Sequence, residues 1–197
     1  MHISEGILPP TVLLAGGVLT AIGTALGLKR LTPETIPRAA LLTAAAFVAS
    51  LIHLPLGPSS VHLVFNGLLG LMLGVAAFPA FLICLFLQAV LFQFGGLTTL
   101  GVNTFNLAFS GLLGASLGKM FFRFGLKGVA LGGFIAGAVA ILVAGLLVAL
   151  ELSLAGENFQ TAARLILATH LPLAAIEGLV SSFVCLYLQR VRPEIFQ

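Results

Sequence analysis

Long apolar runs, separated by short breaks of charged residues, proline or glycine, occupy most of this chain between residues 8 and 189. A helix that crosses a lipid bilayer needs about 20 mainly apolar residues, because each residue adds about 1.5 Å of length. The runs therefore predict seven transmembrane helices, near residues 8–28, 39–54, 61–77, 79–94, 99–122, 128–151 and 169–189. The shortest break is Phe78-Pro79, where a proline after a helix end predicts a tight turn.

Composition agrees with a membrane location. Of the 197 residues, 59% are hydrophobic and 8% are charged, and the mean hydropathy is +1.18, so the chain has too little polar surface for a soluble globule. We predict an all-α, polytopic membrane protein that forms a single integral membrane domain over residues 1–197. Cys84 and Cys185 lie inside apolar runs without a Cys-x-x-Cys pattern, which indicates packing rather than metal or disulfide chemistry.

The cationic side chains predict how the chain lies in the membrane, because lysine and arginine are retained on the cytoplasmic side. With seven alternating helices, most of them fall on one side: Lys29, Arg30, Arg38, Lys119, Arg123, Lys127, Arg190 and Arg192. We therefore predict an external amino terminus and a cytoplasmic carboxyl terminus, with Arg164 on the outer side. Cations spread in this way along helix ends do not form the clustered basic face that nucleic acid would need.

The first two residues, Met1 and His2, offer a metal chelate. No lysine or arginine precedes residue 29, as a cleavable signal peptide would require, so we expect the mature protein to begin at Met1. The α-amine, the backbone amide of His2 and its Nδ1 atom would then close a five-membered and a six-membered chelate ring. Such planar nitrogen donors favour Ni²⁺ or Cu²⁺. The alternative is that a histidine follows Met1 by chance.

The histidines share a location, the predicted outer boundary of the helices, which indicates a cation site there. They are His2, His53, His62 and His170. His62 is the strongest candidate for a fourth ligand, because Ser59 or Ser60 could cap the third predicted helix and fix His62 in its first turn. The alternative is that a histidine at a helix mouth simply lies at the membrane interface.

Four segments resemble one known family, in the same order along the chain. They are "MHISEG" at 1–6, "GPSSVHLVFNGLLGLMLG" at 57–74, "FGGLTTLGVNTFN" at 94–106 and "HLPLAAIEG" at 170–178. Together they resemble the NikM/CbiM family, the substrate-binding membrane subunits of energy-coupling-factor type nickel and cobalt importers. The resemblance covers essentially the whole chain and implies seven transmembrane helices, with the amino terminus outside the cytoplasmic (inner) membrane of a prokaryote.

The resemblance implies that Met1, His2 and His62 bind the transported metal ion, with residues 1–7 as the metal-binding segment. Cobalt-type members often carry "SCSHPTG" around the histidine matched by His62, whereas this chain has "PSSVHLV". This departure places nickel ahead of cobalt as the expected ion. His53 matches no family ligand and is interpreted as a surface histidine.

Supporting roles for five further residues also follow from the resemblance. Thr98, Thr99 and Asn103 are expected beside the metal ligands or in a lid over them, the alternative being that they cap the fifth helix. His170 and Glu177 are seven residues apart, hence on one helix face, and are expected to form an internal hydrogen-bonded pair.

The chain contains no Gly-x-x-x-x-Gly-Lys-Ser/Thr phosphate-binding loop, so it cannot hydrolyse ATP itself. The resemblance implies a non-enzymatic transport subunit, driven by a transmembrane coupling protein and a pair of cytoplasmic ATPases, sometimes with a small accessory membrane subunit. The alternative is a membrane-embedded metalloenzyme that uses the same histidines, although the sequence has no His-Glu-x-x-His motif.

Small residues spaced four apart let helices approach closely in lipid. The second run contains two such pairs, Ala40 with Ala44 and Ala45 with Ala49. Resemblance to related substrate-binding subunits implies that these alanines dock the coupling partner. Two glycine pairs repeat the spacing, Gly70 with Gly74 and Gly114 with Gly118, and the alternative is that such pairs pack the bundle internally.

Overall fold

The structure, a computed structural model, describes residues 3–56 and 59–196. Within these residues the chain forms helices joined by short turns, with one β-hairpin. The elements are α1 (Pro10–Leu28), α2 (Ile36–Ala49), β1 (His53–Leu56), β2 (Ser59–His62), α3 (Asn66–Leu73), α4 (Ala77–Phe92), α5 (Leu100–Lys119), α6 (Gly125–Ala155) and α7 (Gln160–Val191). Short 3-10 turns lie at Gly74–Ala76, Phe122–Phe124, Glu157–Phe159 and Pro193–Phe196.

Four continuous helical stretches among the described residues are long and apolar enough to cross a membrane: Pro10–Leu28, Asn66–Phe92, Leu100–Ala155 and Glu157–Val191. The stretch Leu100–Ala155 contains both α5 and α6. Helices α2 and α3, with 14 and 8 residues, extend about 21 Å and about 12 Å, less than a full span. The prediction of a polytopic helical membrane protein is confirmed.

The hairpin departs from the all-α prediction. Strands β1 and β2 pair antiparallel with His53 opposite His62, so His53 does not end a helix and His62 does not open one. Helix α3 begins at Asn66, which also makes the predicted cap by Ser59 or Ser60 wrong. The physical reason is proline: Pro55 disfavours helical backbone in the residue before it and lacks the N–H that a helix interior needs.

The turn between α3 and α4 lies earlier than the sequence predicts. Gly74 ends α3 with a φ of 55°, a conformation that glycine adopts without the steric cost other residues meet. Pro79 lies in the first turn of α4, where its missing N–H has no helical partner to lose. The predicted tight turn at Phe78-Pro79 was therefore wrong.

Helix α7 begins at Gln160, nine residues before its apolar run, so His170 lies inside the helix rather than at its start. Helices α6 and α7 contain 31 and 32 residues, about 47 Å each, which exceeds the roughly 30 Å of a hydrocarbon core. An apolar run marks only the part of a helix that lies within lipid. It therefore underestimates the length of a helix that continues into the polar region.

Glycine lets α3, α5 and α6 pack backbone to backbone. A Cβ atom added at Gly118 of α5 would lie 2.3 Å from the carbonyl oxygen of Gly132 of α6, and one added at Gly70 of α3 would lie 2.2 Å from that of Gly111. At Gly114 the nearest atom would be the Ala136 oxygen, at 2.4 Å. These glycines pack the bundle internally, as the alternative interpretation proposed, whereas Gly74 serves only as a helix terminator.

Candidate metal centre

Met1 and His2, the residues of the predicted chelate, lie outside the described residues. The first described residue is Ile3. The Ile3 side chain is buried, with 3% of its surface exposed. It belongs to an apolar cluster with Val102 of α5 and Val148, Ala149 and Leu152 of α6. The chain is thus anchored in the bundle one residue after His2.

Asn103 of α5 holds the backbone of Ile3. Its Oδ1 atom accepts a hydrogen bond from the Ile3 N–H at 3.0 Å, and its Nδ2 atom donates to the Ile3 carbonyl at 3.1 Å. The same Nδ2 donates to Thr99 Oγ1 at 3.2 Å. Two bonds to one residue fix both the position and the direction of the chain. Thr99 occupies the N-cap position of α5, but its side chain makes no capping hydrogen bond. The alternative that Thr99 caps the fifth helix is therefore wrong.

Glu5 is held by the loop that precedes α5. Its Oε1 atom accepts the N–H of Thr98 at 2.9 Å. Gly96 has a φ of 149°, and a Cβ there would lie 2.0 Å from Glu5 Cγ, so only glycine leaves room for this side chain. The sequence did not predict this contact between Glu5 and the loop, although the double glycine Gly95-Gly96, just before Thr98, was a visible signal.

The hydrogen bond from the Thr98 N–H is the main cause that lowers the pKa of Glu5 below its ordinary value of 4.5. A lowered pKa means that the contact is fully present above the ordinary pKa and is lost as pH falls through the lowered one. In metal-free protein, amide exchange at residues 97–99, corrected for its intrinsic pH dependence, should accelerate relative to α5 below about pH 4.5.

Glu5→Gln should remove this extra acceleration. Glu34→Gln is the matched control, because Glu34 also has a lowered pKa, owing chiefly to the Thr32 side chain, but belongs to the turn between α1 and α2. Identical pH profiles for native protein and Glu5→Gln would show that the carboxylate does not hold this loop.

His62 ends β2 and is buried, with 6% of its surface exposed. Its Nδ1 atom lies 3.1 Å from the Leu63 carbonyl oxygen. Because a carbonyl only accepts hydrogen bonds, Nδ1 is the donor in this contact, and in a neutral ring the lone pair then lies on Nε2. His62 also lines a small cavity with Cys84, Gln88 and Leu107. The ring therefore has the tautomer that metal ligation through Nε2 requires.

One face of α5 connects Ile3 with the surroundings of His62. Asn103 bonds Ile3, and Leu107, one turn further, lines the cavity beside His62. Four residues of helix correspond to about 6 Å along the axis. The contact of Ile3 and the cavity of His62 thus lie about one helical turn apart along α5.

Glu177 of α7 is fully buried, but it does not bond His170. Its carboxyl group accepts the N–H of Val64 and, at 3.2 Å, that of Phe65. The Nδ1 atom of His170 instead lies 2.7 Å from the Ile166 carbonyl of its own helix. The predicted His170–Glu177 pair is therefore wrong, because the break before α3 supplies backbone donors that no apolar run reveals.

His170 is enclosed between α6 and α7. Its side chain packs on Gly145, where an added Cβ would lie 2.7 Å from His170 Cδ2. Only the backbone of His53 is described, as the partner of His62 in the hairpin. Its interpretation as a surface histidine stays a prediction.

The four alanines of α2 that were predicted to dock a partner lie in two different environments. Ala40, Ala44 and Ala45 are exposed, whereas Ala49 is buried within the chain. Ala40 and Ala44 line an apolar groove of about 360 Å³ between α2 and α4. Three of the four residues predicted to dock a partner are therefore accessible.

No group of three or more histidine, cysteine, aspartate or glutamate side chains within residues 3–56 and 59–196 is placed to hold a metal ion. These features define the class: a polytopic helical membrane protein whose chain is fixed at Ile3 to α5, the helix that also lines the cavity of a buried histidine, His62.

Comparison with known families agrees with this class. Residues 2–195 match the CbiM family model, described as the cobalt uptake substrate-specific transmembrane region. The chain belongs to the CbiM family, as the four motifs in the sequence indicated.

Individual relatives cover nearly the whole chain. A Haemophilus influenzae protein that bears the provisional name of a metal transport protein is 41% identical over 198 residues, with 99% of this chain and 96% of that protein aligned. A provisionally named fused cobalt transport protein CbiMQ from Methanocorpusculum labreanum is 31% identical over 216 residues, which cover 100% of this chain and 36% of the fusion. A crystal structure of a transition metal transporter is similar with a TM-score of 0.82 at 28% identity, covering 97% of this chain and 93% of that chain.

Proposed function

We propose that this chain is the substrate-specific membrane subunit of an energy-coupling-factor type importer and captures Ni²⁺ or Co²⁺ at the external face. The observation that carries the proposal is the double anchorage of the amino-terminal segment. Asn103 holds Ile3 and Thr98 holds Glu5. A flexible terminus would lose entropy on binding metal, whereas an anchored one has already lost part of it.

The proposed ligands are the amine of Met1, the amide and Nδ1 of His2, and Nε2 of His62. Met1 and His2 can extend at most about 7 Å from Ile3, which is comparable to the helical turn of α5 between Asn103, bonded to Ile3, and Leu107, beside His62. Thr98, Thr99 and Asn103 support the site through residues 3–5. The family description names cobalt, whereas planar nitrogen donors favour nickel, and competition between the two ions will rank them.

We further propose seven passes within one membrane domain, an external amino terminus and a cytoplasmic carboxyl terminus. Arg38 near the start of α2 donates to the Met72 carbonyl near the end of α3, at 3.0 Å. Arg38 and Gly74 line one cavity together with Lys119, the last residue of α5, and Ile195. Cationic helix ends thus gather at one end of the bundle, which supports placing that end in the cytoplasm.

Transport energy must come from partners, because the sequence has no ATP-binding loop. The fused relative contains this chain's counterpart in 36% of its length, which leaves room for a covalently joined coupling subunit. We propose a separate transmembrane coupling subunit docked on Ala40, Ala44 and Ala45, a cytoplasmic ATPase pair, and in some assemblies a small accessory membrane subunit.

Equilibrium binding of nickel and cobalt to detergent-purified protein with a native amino terminus tests the function. Native protein should bind about one metal ion per chain. His2→Gln and His62→Gln should each lower affinity by more than about 100-fold, since loss of a direct ligand exceeds the roughly 10–100-fold cost of losing an outer-shell partner.

His53→Gln is the matched control and should bind as native protein does. Metal uptake by cells that express the chain with its partners should follow the same order. Absence of metal binding to native protein would contradict the proposal. Metal binding without uptake, but with turnover of a substrate, would favour the metalloenzyme.

A further inference from the structure

Glu177 is an acid held inside a membrane helix without an ionic partner among the described residues. It is fully buried in α7. Ionisable residues within membrane segments are rare, costly to bury and usually functional. Its hydrogen bonds go to the backbone N–H groups of Val64 and Phe65, so its effect is exerted on the segment between β2 and α3.

Every residue of the segment from His62 to Asn66 is held by a specific contact. The Leu63 carbonyl accepts the His62 ring, and Glu177 accepts the next two N–H groups. Asn66 Nδ2 donates to Ser110 Oγ of α5 at 2.9 Å. These contacts leave little freedom for the peptide that carries the carbonyl bonded by His62.

Phe65 shows that this segment needs external support. It has a φ of 56°, in the left-handed region that is sterically unfavourable for a residue with a Cβ atom. Such conformations persist where surrounding contacts impose them. The carboxyl group of Glu177, bonded to the N–H of Phe65 itself and to that of Val64, is the contact from another helix that imposes it.

We propose that Glu177 is a positioning residue for His62, which orients the imidazole for metal binding without touching the metal. By fixing the peptides of Val64 and Phe65, Glu177 sets the direction of the adjoining Leu63 carbonyl, and this carbonyl sets the ring of His62. The inference rests on the proposed function, because it assigns Glu177 a role at that site.

Glu177→Gln tests this role with almost no change of volume. A carboxyl group presents two oxygen acceptors to these backbone N–H groups, whereas an amide presents one oxygen and an NH₂ group with two donors. Oε1 of Glu177 accepts the N–H groups of both Val64 and Phe65, and Oε2 also accepts that of Phe65, at 3.2 Å. In glutamine an NH₂ group takes the place of one oxygen and sets donor against donor, at the Phe65 N–H alone or at both N–H groups.

Glu151→Gln is the matched control: Glu151 is an acid of α6 whose carboxyl group accepts a hydrogen bond from Asn106 Nδ2 of α5 at 2.8 Å. Among the described residues, no hydrogen bond joins Glu151 directly to the segment from His62 to Asn66.

Glu177→Gln should raise the nickel and cobalt dissociation constants by about 10–100-fold, the range for residues that orient a metal-bound histidine. It should also shift the visible absorption of the bound nickel, because the geometry of one ligand changes, while stoichiometry stays near one ion per chain. Glu151→Gln should change affinity by less than about threefold. Unchanged affinity and spectrum in Glu177→Gln would overturn the inference. If native protein itself binds no metal, the proposed function fails instead.

Native protein provides a second test that does not depend on how the variant folds. Coupling between two events is reciprocal, so metal binding must strengthen the hold of Glu177 on Val64 and Phe65. Amide exchange at these two residues should slow on addition of nickel, relative to exchange in the middle of α6. A purely structural role predicts exchange at Val64 and Phe65 that is insensitive to metal, and this result would overturn the inference.

Discussion

Insertion of Leu-Gln between Met1 and His2 should abolish high-affinity nickel and cobalt binding while leaving the fold intact. The amine, the His2 amide and the His2 ring form consecutive chelate rings only when histidine is the second residue. The insertion keeps every original side chain, and Ile3 remains held by Asn103. We expect a loss of affinity above about 100-fold, measured by equilibrium dialysis with metal quantification.

Two residues are inserted for a chemical reason. A single inserted residue would create Met-x-His, in which one amine, two amides and one imidazole supply a complete planar set of nitrogens and could bind nickel without His62. A large residue after Met1 also disfavours removal of the initiator methionine. The matched control is the same dipeptide between Pro33 and Glu34, which are exposed in the turn between α1 and α2. Unchanged binding in the terminal insertion would exclude the terminus as chelator and direct attention to His62, His170 and Glu177.

The local composition of the chain determined the helices that the sequence predicted well. The run at 99–122 corresponds to α5 at Leu100–Lys119, and the run at 8–28 corresponds to α1 at Pro10–Leu28. Both are bounded by features that act locally, proline at the start of α1 and cationic residues at or just beyond the carboxyl end of each helix. Such features can be read from a single segment without knowledge of its neighbours.

The segment around His62 could not be predicted in this way. Its apolar character indicated a helix over 61–77, but the structure has a hairpin and a helix that begins at Asn66. Buried backbone N–H groups in such a break need partners, and Glu177, more than 100 residues away in sequence, provides them. A partner that comes from a distant helix leaves no trace in the local pattern.

The candidate site was also predicted only in part, because some of its contacts join segments that are distant in sequence. Resemblance to the family pointed to His62 and Asn103, and the structure gives Asn103 a defined contact with Ile3. The contact between Glu5 and the loop at Gly96 and Thr98 was missed, because it joins segments about 90 residues apart. Glycine is the only recognisable sign of such a contact, and glycine has many other uses in a chain that contains 23 of them.

Gly118→Leu should prevent recovery of folded protein, and Gly118→Ala should lower the thermal unfolding temperature. Even one added carbon at Gly118 would lie 2.3 Å from the Gly132 carbonyl oxygen and 2.9 Å from Ala136 Cβ, so α5 and α6 must separate. Overpacking of this kind costs about 1–3 kcal/mol, which exceeds the gain of up to about 1 kcal/mol when alanine replaces glycine in a helix. Leucine adds three further carbons at the same contact.

Gly17→Ala in α1 is the matched control, since a Cβ at Gly17 meets no atom within 4 Å. It should therefore raise the unfolding temperature slightly through helix propensity alone. Both alanine variants can be compared by size-exclusion chromatography after heating in the same detergent. Equal stability of Gly118→Ala and native protein would mean that α5 and α6 separate at little cost. The backbone contact between them would then not be what fixes α5 and its residue Asn103, which bonds Ile3.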